Sequence, residues 1–216
     1  MLEIGGIELL PAWPVFLGFV VAGLALNIVP GADMTFVVAS AARGGRRDGI
    51  VAALGIGAGT LFHIVAATLG LSAILASSQA AFDLIKWIGA AYLLWIAFSL
   101  VRRGHAPADA PRPGRRTFRS AMLVNILNPK VALFFLAFLP QFIDPAASVP
   151  AAQILCLGLW FDCVGTLVNI AVAIIAAGAA GRLREVRWLG RAARWFAATI
   201  MGALAVQLAL AARRQA

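Results

Sequence analysis

The stretch that organises this chain of 216 residues is Asn27-Ile28-Val29-Pro30-Gly31-Ala32-Asp33. It lies within an apolar run, residues 15–42, which is long enough to cross a bilayer. The Pro-Gly pair predicts a break in the helix, and Asn27 and Asp33 bring polar groups to the same depth. A second break of this kind is predicted in residues 118–139, at Asn125-Ile126-Leu127-Asn128-Pro129-Lys130. Two such breaks in corresponding positions are typical of the substrate site of a transporter built from repeats.

The composition is that of a membrane protein. Hydrophobic residues make up 62% of the chain and charged residues only 12%, whereas a soluble domain carries roughly 25% charged residues. The net charge of +9 comes from short basic clusters between apolar runs, a pattern that orients membrane proteins and does not indicate nucleic acid binding. Cys156 and Cys163 lie on one predicted helix, about 10 Å apart along its axis, which is too far for a disulfide. We interpret both as thiols buried in the membrane.

Apolar runs of about 20 residues or more predict six transmembrane helices. They cover residues 15–42, 49–77, 82–101, 118–140, 152–180 and 192–212. The loops after the first, third and fifth spans carry 14 Arg residues, whereas the other side has only the two C-terminal arginines, with Lys86 near its boundary. By the positive-inside rule the Arg-rich loops are cytoplasmic, so both termini are expected outside. Residues 1–14 contain no Lys or Arg, so no cleavable signal peptide is expected.

The spans divide into two similar halves. Residues 59–63 (GTLFH) resemble residues 165–169 (GTLVN), and Pro30 corresponds to Pro129. Each half holds three spans, so the halves face opposite ways across the membrane. We therefore predict an all-α membrane protein with six transmembrane helices in two inverted three-helix repeats, of which helices one and four are broken. Residues 1–216 are expected to form one translocator domain, with halves at about 1–103 and 117–216 joined by a cytoplasmic linker.

The break in the fourth span contains a lysine. Asn128 followed by Pro129 predicts the start of a new half-helix at mid-membrane. Lys130 would then lie in the first turn, where a cation opposes the helix dipole and is costly to bury. An anionic group should compensate for it, and the candidates are Asp33, Asp162 and the carboxylate of a substrate.

The break in the first span has no side-chain cap, because Val29 precedes Pro30. The backbone amides of Gly31, Ala32 and Asp33 would be left open, and open amides at a helix start suit a carboxylate. Gly31 leaves room for a close approach, and Asp33 could hold a substrate ammonium or carry a proton. In the alternative interpretation, Pro30 only kinks the helix and Asp33 lies at the cytoplasmic edge.

Three residues are candidates for proton coupling: Asp33, His63 and Asp162. His63 shares a helix stripe with Gly55 and Gly59, which would let another helix pack closely, and imidazole titrates near neutral pH. The alternative is a histidine that is hydrogen-bonded for packing alone. Asp162 is a carboxylate within the fifth span, where charge is costly, unless it lies near the outer interface. The candidates for substrate binding are Asn27, Pro30, Gly31, Asp33, Asn125, Asn128, Pro129 and Lys130.

Several blocks of the chain resemble the lysine exporter and homoserine/threonine efflux translocator family. They are residues 27–31 (NIVPG), 44–49 (GGRRDG), 53–55 (ALG), with Gly59 and His63, 89–93 (GAAYL), 125–130 (NILNPK), 134–135 (FF) and 139–142 (LPQF). The resemblance implies a multi-pass exporter of amino acids in the bacterial inner membrane, driven by the proton gradient. The chain departs from the family at Ala32, where a second proline is usual, and this softens the local backbone.

We therefore expect a secondary transporter that exports amino acids or close analogues from the cytoplasm. No cofactor motif is present, and without a Walker sequence the chain should not hydrolyse ATP. We expect no cofactor and no enzymatic activity. An exporter of metal or inorganic ions is the alternative, but paired intramembrane carboxylates or facing Met and Cys ligands are missing. A membrane-embedded enzyme is a further alternative, although no clear nucleophile–base pair is present. The expected partners are the lipid bilayer and a small amino acid, with no nucleic acid, and the glycine-rich faces would allow a homodimer.

Overall fold

The structure, a computed structural model, describes residues 3–4, 7–77, 117–144, 147–178 and 199. The regular secondary structure of its described part is helical except for a short antiparallel hairpin near the N-terminus, which the sequence did not predict. The strands are β1 (Glu3–Ile4) and β2 (Ile7–Glu8). The helices are α1 (Trp13–Ile28), α2 (Ala32–Ser77), α3 (Thr117–Ile126), α4 (Pro129–Leu133) and α5 (Pro150–Gly178).

The first predicted helix break is present. Helix α1 ends at Ile28, and Val29 adopts an extended conformation with φ −66° and ψ 119°. Helix α2 begins two residues after Pro30, which has no backbone N–H for a continuing helix. The apolar run of the first span is therefore interrupted at the residues from which the break was predicted.

Helix α2 folds back on itself at Gly45, where φ is 70° and ψ is −168°. Glycine adopts this left-handed φ without a steric penalty. A Cβ atom on Gly49 would lie 2.7 Å from the Cβ of Ala41, although eight residues of straight helix span about 12 Å. The helix is thus a hairpin of two arms, the first arm (residues 32–44) and the second arm (residues 46–77), and it turns within the predicted loop between spans one and two.

The second predicted break is also present. Helix α3 ends at Ile126, and the side chain of Asn128 accepts a hydrogen bond from the backbone N–H of Lys130. Pro129 is the first residue of α4, so Asn128 is the helix N-cap, as predicted. The axis bends by 48° between Thr117–Ile126 and Lys130–Phe142. A π-helical turn (Phe134–Phe138) and a 3₁₀ turn (Leu139–Phe142) continue α4.

Two glycines of the second arm bring α3 into close contact. A Cβ atom on Gly59 would lie 2.7 Å from the carbonyl oxygen of Met122, and one on Gly55 would collide with the carbonyl oxygen of Phe118. Close packing of another helix on this stripe is confirmed. The partner is α3 of the same chain, so these two glycines do not serve the homodimer that the glycine-rich faces would allow.

Buried apolar side chains form two clusters around these breaks. One joins α1, the second arm, the π-helical turn and α5, and it is rich in aromatic rings; Phe134 and Phe161 stack with centroids 4.1 Å apart. The other joins the two arms of α2 with α3 and α5. Large apolar side chains such as Leu69 and Leu167 point outward and remain exposed, as lipid-facing residues do.

Two of the described helices are long and apolar enough to cross a membrane, and the bent pair of α3 and α4 adds a third. They are Ala32–Gly70, which includes the hairpin, and Pro150–Gly178. The predicted third span, the linker between the halves and nearly all of the sixth span lie outside the described residues. The count of six spans and the inverted repeat therefore stay predictions. Cys156 and Cys163 are free thiols, and Cys163 is exposed on α5.

Candidate substrate site

The two helix breaks meet at one cleft of about 500 Å³, including its open mouth. The end of α1, the start of α2, the junction of α3 and α4 and the middle of α5 all contribute to its walls. Seven sequence-predicted site residues line it: Asn27, Gly31, Asp33, Asn125, Asn128, Lys130 and Asp162.

Lys130 reaches across the cleft to the C-terminal end of α1. Its ammonium group donates hydrogen bonds to the carbonyl oxygens of Leu26, at 2.8 Å, and Val29, at 2.9 Å. The last carbonyls of a helix have no partner within the helix and form the negative end of its dipole. The expectation that an anionic group would compensate the lysine was therefore incomplete, because backbone carbonyls hold the ammonium. Asp33 interacts with it electrostatically as well.

Asp33 lies in the cleft between the two breaks, not at an edge of the helical assembly. The side-chain amide of Asn125 donates a hydrogen bond of 2.9 Å to Asp33 Oδ2. In the described part of the chain, Asp33 Oδ1 is buried without a hydrogen-bond partner. One carboxylate oxygen is thus held by the protein, and the other is left for a further donor.

Asn128 presents a complementary unpaired atom. Its Oδ1 accepts the hydrogen bond from the Lys130 backbone N–H at 3.0 Å, which fixes the orientation of the amide. Its Nδ2 is buried and, among the described residues, has no hydrogen-bond partner. The Asn128 amide is close enough to act on the Asp33 carboxylate, but the two do not form a hydrogen bond of good geometry. The cleft therefore holds an unpaired donor beside an unpaired acceptor.

Asn125 connects the cleft to His63. The Asn125 carbonyl oxygen lies 3.1 Å from His63 Nε2, and because a carbonyl can only accept, that nitrogen carries the proton. The imidazole is buried and stacks on Phe135, with centroids 6.1 Å apart and planes 11° apart. His63 faces the protein interior, as predicted, but it is not among the cleft-lining residues. These contacts are those of a packing histidine, and its role in proton coupling stays a prediction.

The two repeated segments make corresponding contacts with the broken helices. A Cβ atom on Gly59 would lie 2.9 Å from Asn125 Oδ1, and one on Gly165 would lie 2.8 Å from Asn27 Oδ1. Each glycine thus allows an asparagine of a broken helix to approach closely. Asn27 in addition donates a long hydrogen bond of 3.4 Å to the carbonyl of Phe161.

Helix α5 supplies the remaining polar wall of the cleft through Asp162, Thr166 and Asn169. The Thr166 hydroxyl donates to Asp162 Oδ1 at 3.4 Å. Because Asp162 lines the cleft, its position favours a carboxylate in the protein interior over one at the outer membrane interface. Pro30 and Pro129 shape the breaks, and Pro30 is not among the lining residues.

Several cleft residues were not on the list of sequence candidates. Thr60 and Thr166 line it, and the repeated Gly-Thr-Leu that contains both of them is the signal that could have found them. Met34, Ile56 and Phe161 add apolar surface. Within the described ranges, no group of three or more His, Cys, Asp or Glu side chains could hold a metal ion.

Interrupted apolar helices around a polar cleft are typical of membrane transporters. The chain belongs to the LysE type translocator family, whose model matches residues 24–212. Members of this family are transporters and not enzymes, which confirms the expected class.

Relatives at about 30% identity cover most of the chain. A Vibrio cholerae protein described as an uncharacterised membrane protein is 31% identical over 87% of this chain and 93% of its own. The homoserine/homoserine lactone efflux protein of Salmonella typhimurium is 31% identical over 73% of this chain and 78% of its own. The leucine efflux protein of an Enterobacter species is 27% identical over 69% of this chain and 73% of its own. No solved structure matches the chain.

Proposed function

We propose that this protein exports amino acids or close analogues from the cytoplasm across the bacterial inner membrane, in exchange for protons. The observation that carries the proposal is the pair of unpaired atoms in the cleft, the donor Asn128 Nδ2 and the acceptor Asp33 Oδ1, next to the Lys130 ammonium. An amino acid zwitterion carries a carboxylate that accepts hydrogen bonds and an ammonium that donates them, so its head group complements both atoms.

The carboxylate would bind between Lys130 and the start of α2. An ammonium has three donors, and Lys130 uses two of them on the carbonyls of α1. The first hydrogen bond of α2 runs from the Thr35 N–H to the Gly31 carbonyl, so the amides of Gly31, Ala32 and Asp33 lie ahead of it. Gly31 has no side chain that could cap these amides. The Lys130 Nζ lies 3.7 Å from the position of a Cβ on Gly31. A cation and a helix N-terminus are therefore adjacent, which favours an anion.

The substrate ammonium would bind Asp33 Oδ1. A proton on the same carboxylate would compete with that ammonium, so binding of one would release the other. This competition couples export to proton entry with a single group, and it does not require His63 to carry a proton.

The names of the relatives support a site for the head group. Homoserine and leucine differ in their side chains and share the amino acid head group, whereas homoserine lactone, which the first name also includes, shares the amino group and has an ester in place of the carboxylate. Proteins named for the efflux of homoserine or leucine would need a common way of binding the head group of the free amino acids. Asp33, Asn128 and Lys130 supply one in this chain.

The proposal includes the predicted six-span topology with both termini outside. The corresponding contacts of Asn27 with Gly165 and of Asn125 with Gly59 support two related halves that share one site. In a protein with inverted halves, the substrate site would open to each side of the membrane in turn.

The direct test uses the purified protein in liposomes. Vesicles loaded with one unlabelled amino acid should accumulate the same radiolabelled amino acid by counterflow, and an inward proton gradient should accelerate efflux. Screening the common amino acids in this way would identify the substrate. If none is exchanged above the level of protein-free liposomes, amino acid export is wrong.

A further inference from the structure

The polar groups on α5 are not needed for the proposed head-group contacts. Asp162, Thr166 and Asn169 lie at i, i+4 and i+7, so they follow one face of the helix and all three line the cleft. They belong to a different helix from Asp33, Asn128 and Lys130. The cleft thus has a second polar region, which the head group leaves free.

Asp162 is the strongest feature of this region. In the described part of the chain, its one polar partner is the Thr166 hydroxyl, at a distance of 3.4 Å. A carboxylate within a transmembrane helix is costly unless donors reach it, and such residues mark substrate pathways. The position of the Asp162 carboxylate in the cleft wall therefore points to a donor that arrives with the substrate.

The neighbouring helix packs closely on these groups. Gly57 on the second arm of α2 faces them, and a Cβ there would lie 2.6 Å from Thr166 Oγ1 and 3.4 Å from Asp162 Oδ1. Any larger residue at position 57 would press on both groups. Ile56, Met34 and Phe161 also line the cleft and would contact the aliphatic part of a side chain.

We propose that Asp162 and Thr166, with Asn169, form a subsite for the side chain of the exported amino acid and select side chains that donate a hydrogen bond. This inference rests on the proposed function. A hydroxyl or an ammonium at the end of the substrate side chain would donate to Asp162. A methyl group in the same place would leave that carboxylate desolvated and unpaired, and sites built for hydrogen bonding discriminate strongly against analogues that cannot form the bond.

The test compares substrates of equal shape in liposomes that contain the full-length protein. Threonine and valine differ by a hydroxyl in place of a methyl, and homoserine and norvaline form a second, unbranched pair. Counterflow uptake by the wild-type protein should favour the hydroxyl member of at least one pair by about tenfold or more, as expected for a hydrogen bond to a charged group.

Variants of the subsite should then lose this preference. Asp162→Asn should lower the ratio several-fold, and Asp162→Leu should bring it close to one. Thr166→Val should lower it as well. Thr68→Val is the matched control. Among the described groups, the Thr68 hydroxyl donates a hydrogen bond only to the carbonyl of Ile64, and Thr68 does not line the cleft. That variant should keep the wild-type ratio.

The outcomes separate the inference from the proposed function. If no amino acid is exchanged, the proposed function fails. If amino acids are exchanged but both wild-type ratios lie near one, only the subsite is wrong. An unchanged ratio for Asp162→Asn would likewise overturn the subsite. The subsite would also be wrong if both Asp162 variants insert normally but exchange no amino acid, because Asp162 would then serve the transport cycle itself.

Discussion

The Lys130 ammonium lies 2.8 Å from the carbonyl oxygen of Leu26, a residue 104 positions earlier in the chain. This bond joins the two helix breaks, because Lys130 belongs to the first turn of α4 and Leu26 to the last turn of α1. The negative end of the α1 dipole stabilises the Lys130 ammonium, which is unfavourable at the positive N-terminal end of α4. A substrate carboxylate on the third donor of the ammonium would share Lys130 with these carbonyls, so substrate binding and the position of α1 would be linked.

Replacing Lys130 by glutamine should abolish export. Glutamine keeps an N–H donor for the end of α1 but has no charge for a carboxylate. Insertion should persist, because a charge at the centre of the bilayer costs at least about 2.5 kcal/mol and its removal lowers that cost. The measurement is counterflow in liposomes with matched amounts of protein, with Arg46→Gln at the exposed turn of α2 as the control. Near-normal transport by Lys130→Gln would mean that the lysine only caps α1.

Replacing Asp33 by asparagine should separate exchange from proton coupling. The oxygen of the new amide can still accept the hydrogen bond from Asn125, so the fold should be retained. The asparagine amide does not titrate, so a proton gradient should no longer accelerate efflux. Because the amide is uncharged, binding of the substrate ammonium should also weaken. Efflux would be compared with and without a gradient, beside Asp48→Asn as a control outside the cleft. Gradient-driven efflux at the wild-type rate would exclude Asp33 as the coupling group.

Adding a methyl group at Gly59 should destabilise the protein by about 1–3 kcal/mol, as overpacking does. A Cβ at this position would lie 2.7 Å from the Met122 carbonyl oxygen and 2.8 Å from the Asn125 Cβ, so α3 would have to move. The thermal unfolding midpoint in detergent should fall for Gly59→Ala. Gly70→Ala is the control, since no described atom lies within 4 Å of its Cβ position. Equal midpoints for the two variants would contradict the close contact with α3.

The six-span topology predicts that reporter fusions at Gly104 and Ala147 lie on opposite sides of the membrane. Gly104 lies at the start of the Arg-rich linker and should be cytoplasmic, whereas Ala147 follows the fourth predicted span and should be outside. Paired reporters that are active on only one side of the membrane would measure this. The same side for both positions would disprove the six-span arrangement.

Much of the local structure could be predicted from the sequence, because local chemistry decides it. Pro30 removes a backbone donor and ends α1, while Asn128 and Pro129 together start α4. The glycine stripe of α2 predicted a close helix contact, although not that its partner would be α3. The prediction of six spans rests on apolar runs, and two of those runs fall largely outside the described residues.

The tertiary structure decided which groups meet. The side-chain identities predicted an acidic partner for Lys130, but the oxygens that accept its hydrogen bonds are backbone carbonyls at the end of α1. A sequence does not reveal which carbonyl a lysine will use, because every residue has one. Pairing in space likewise decided that, among the described residues, Asp33 Oδ1 and Asn128 Nδ2 have no hydrogen-bond partner. The sequence by itself determined where the helices break and which polar residues lie near the breaks. Only the fold determined which of their hydrogen-bonding atoms remain free, because each atom's partner comes from a distant part of the chain.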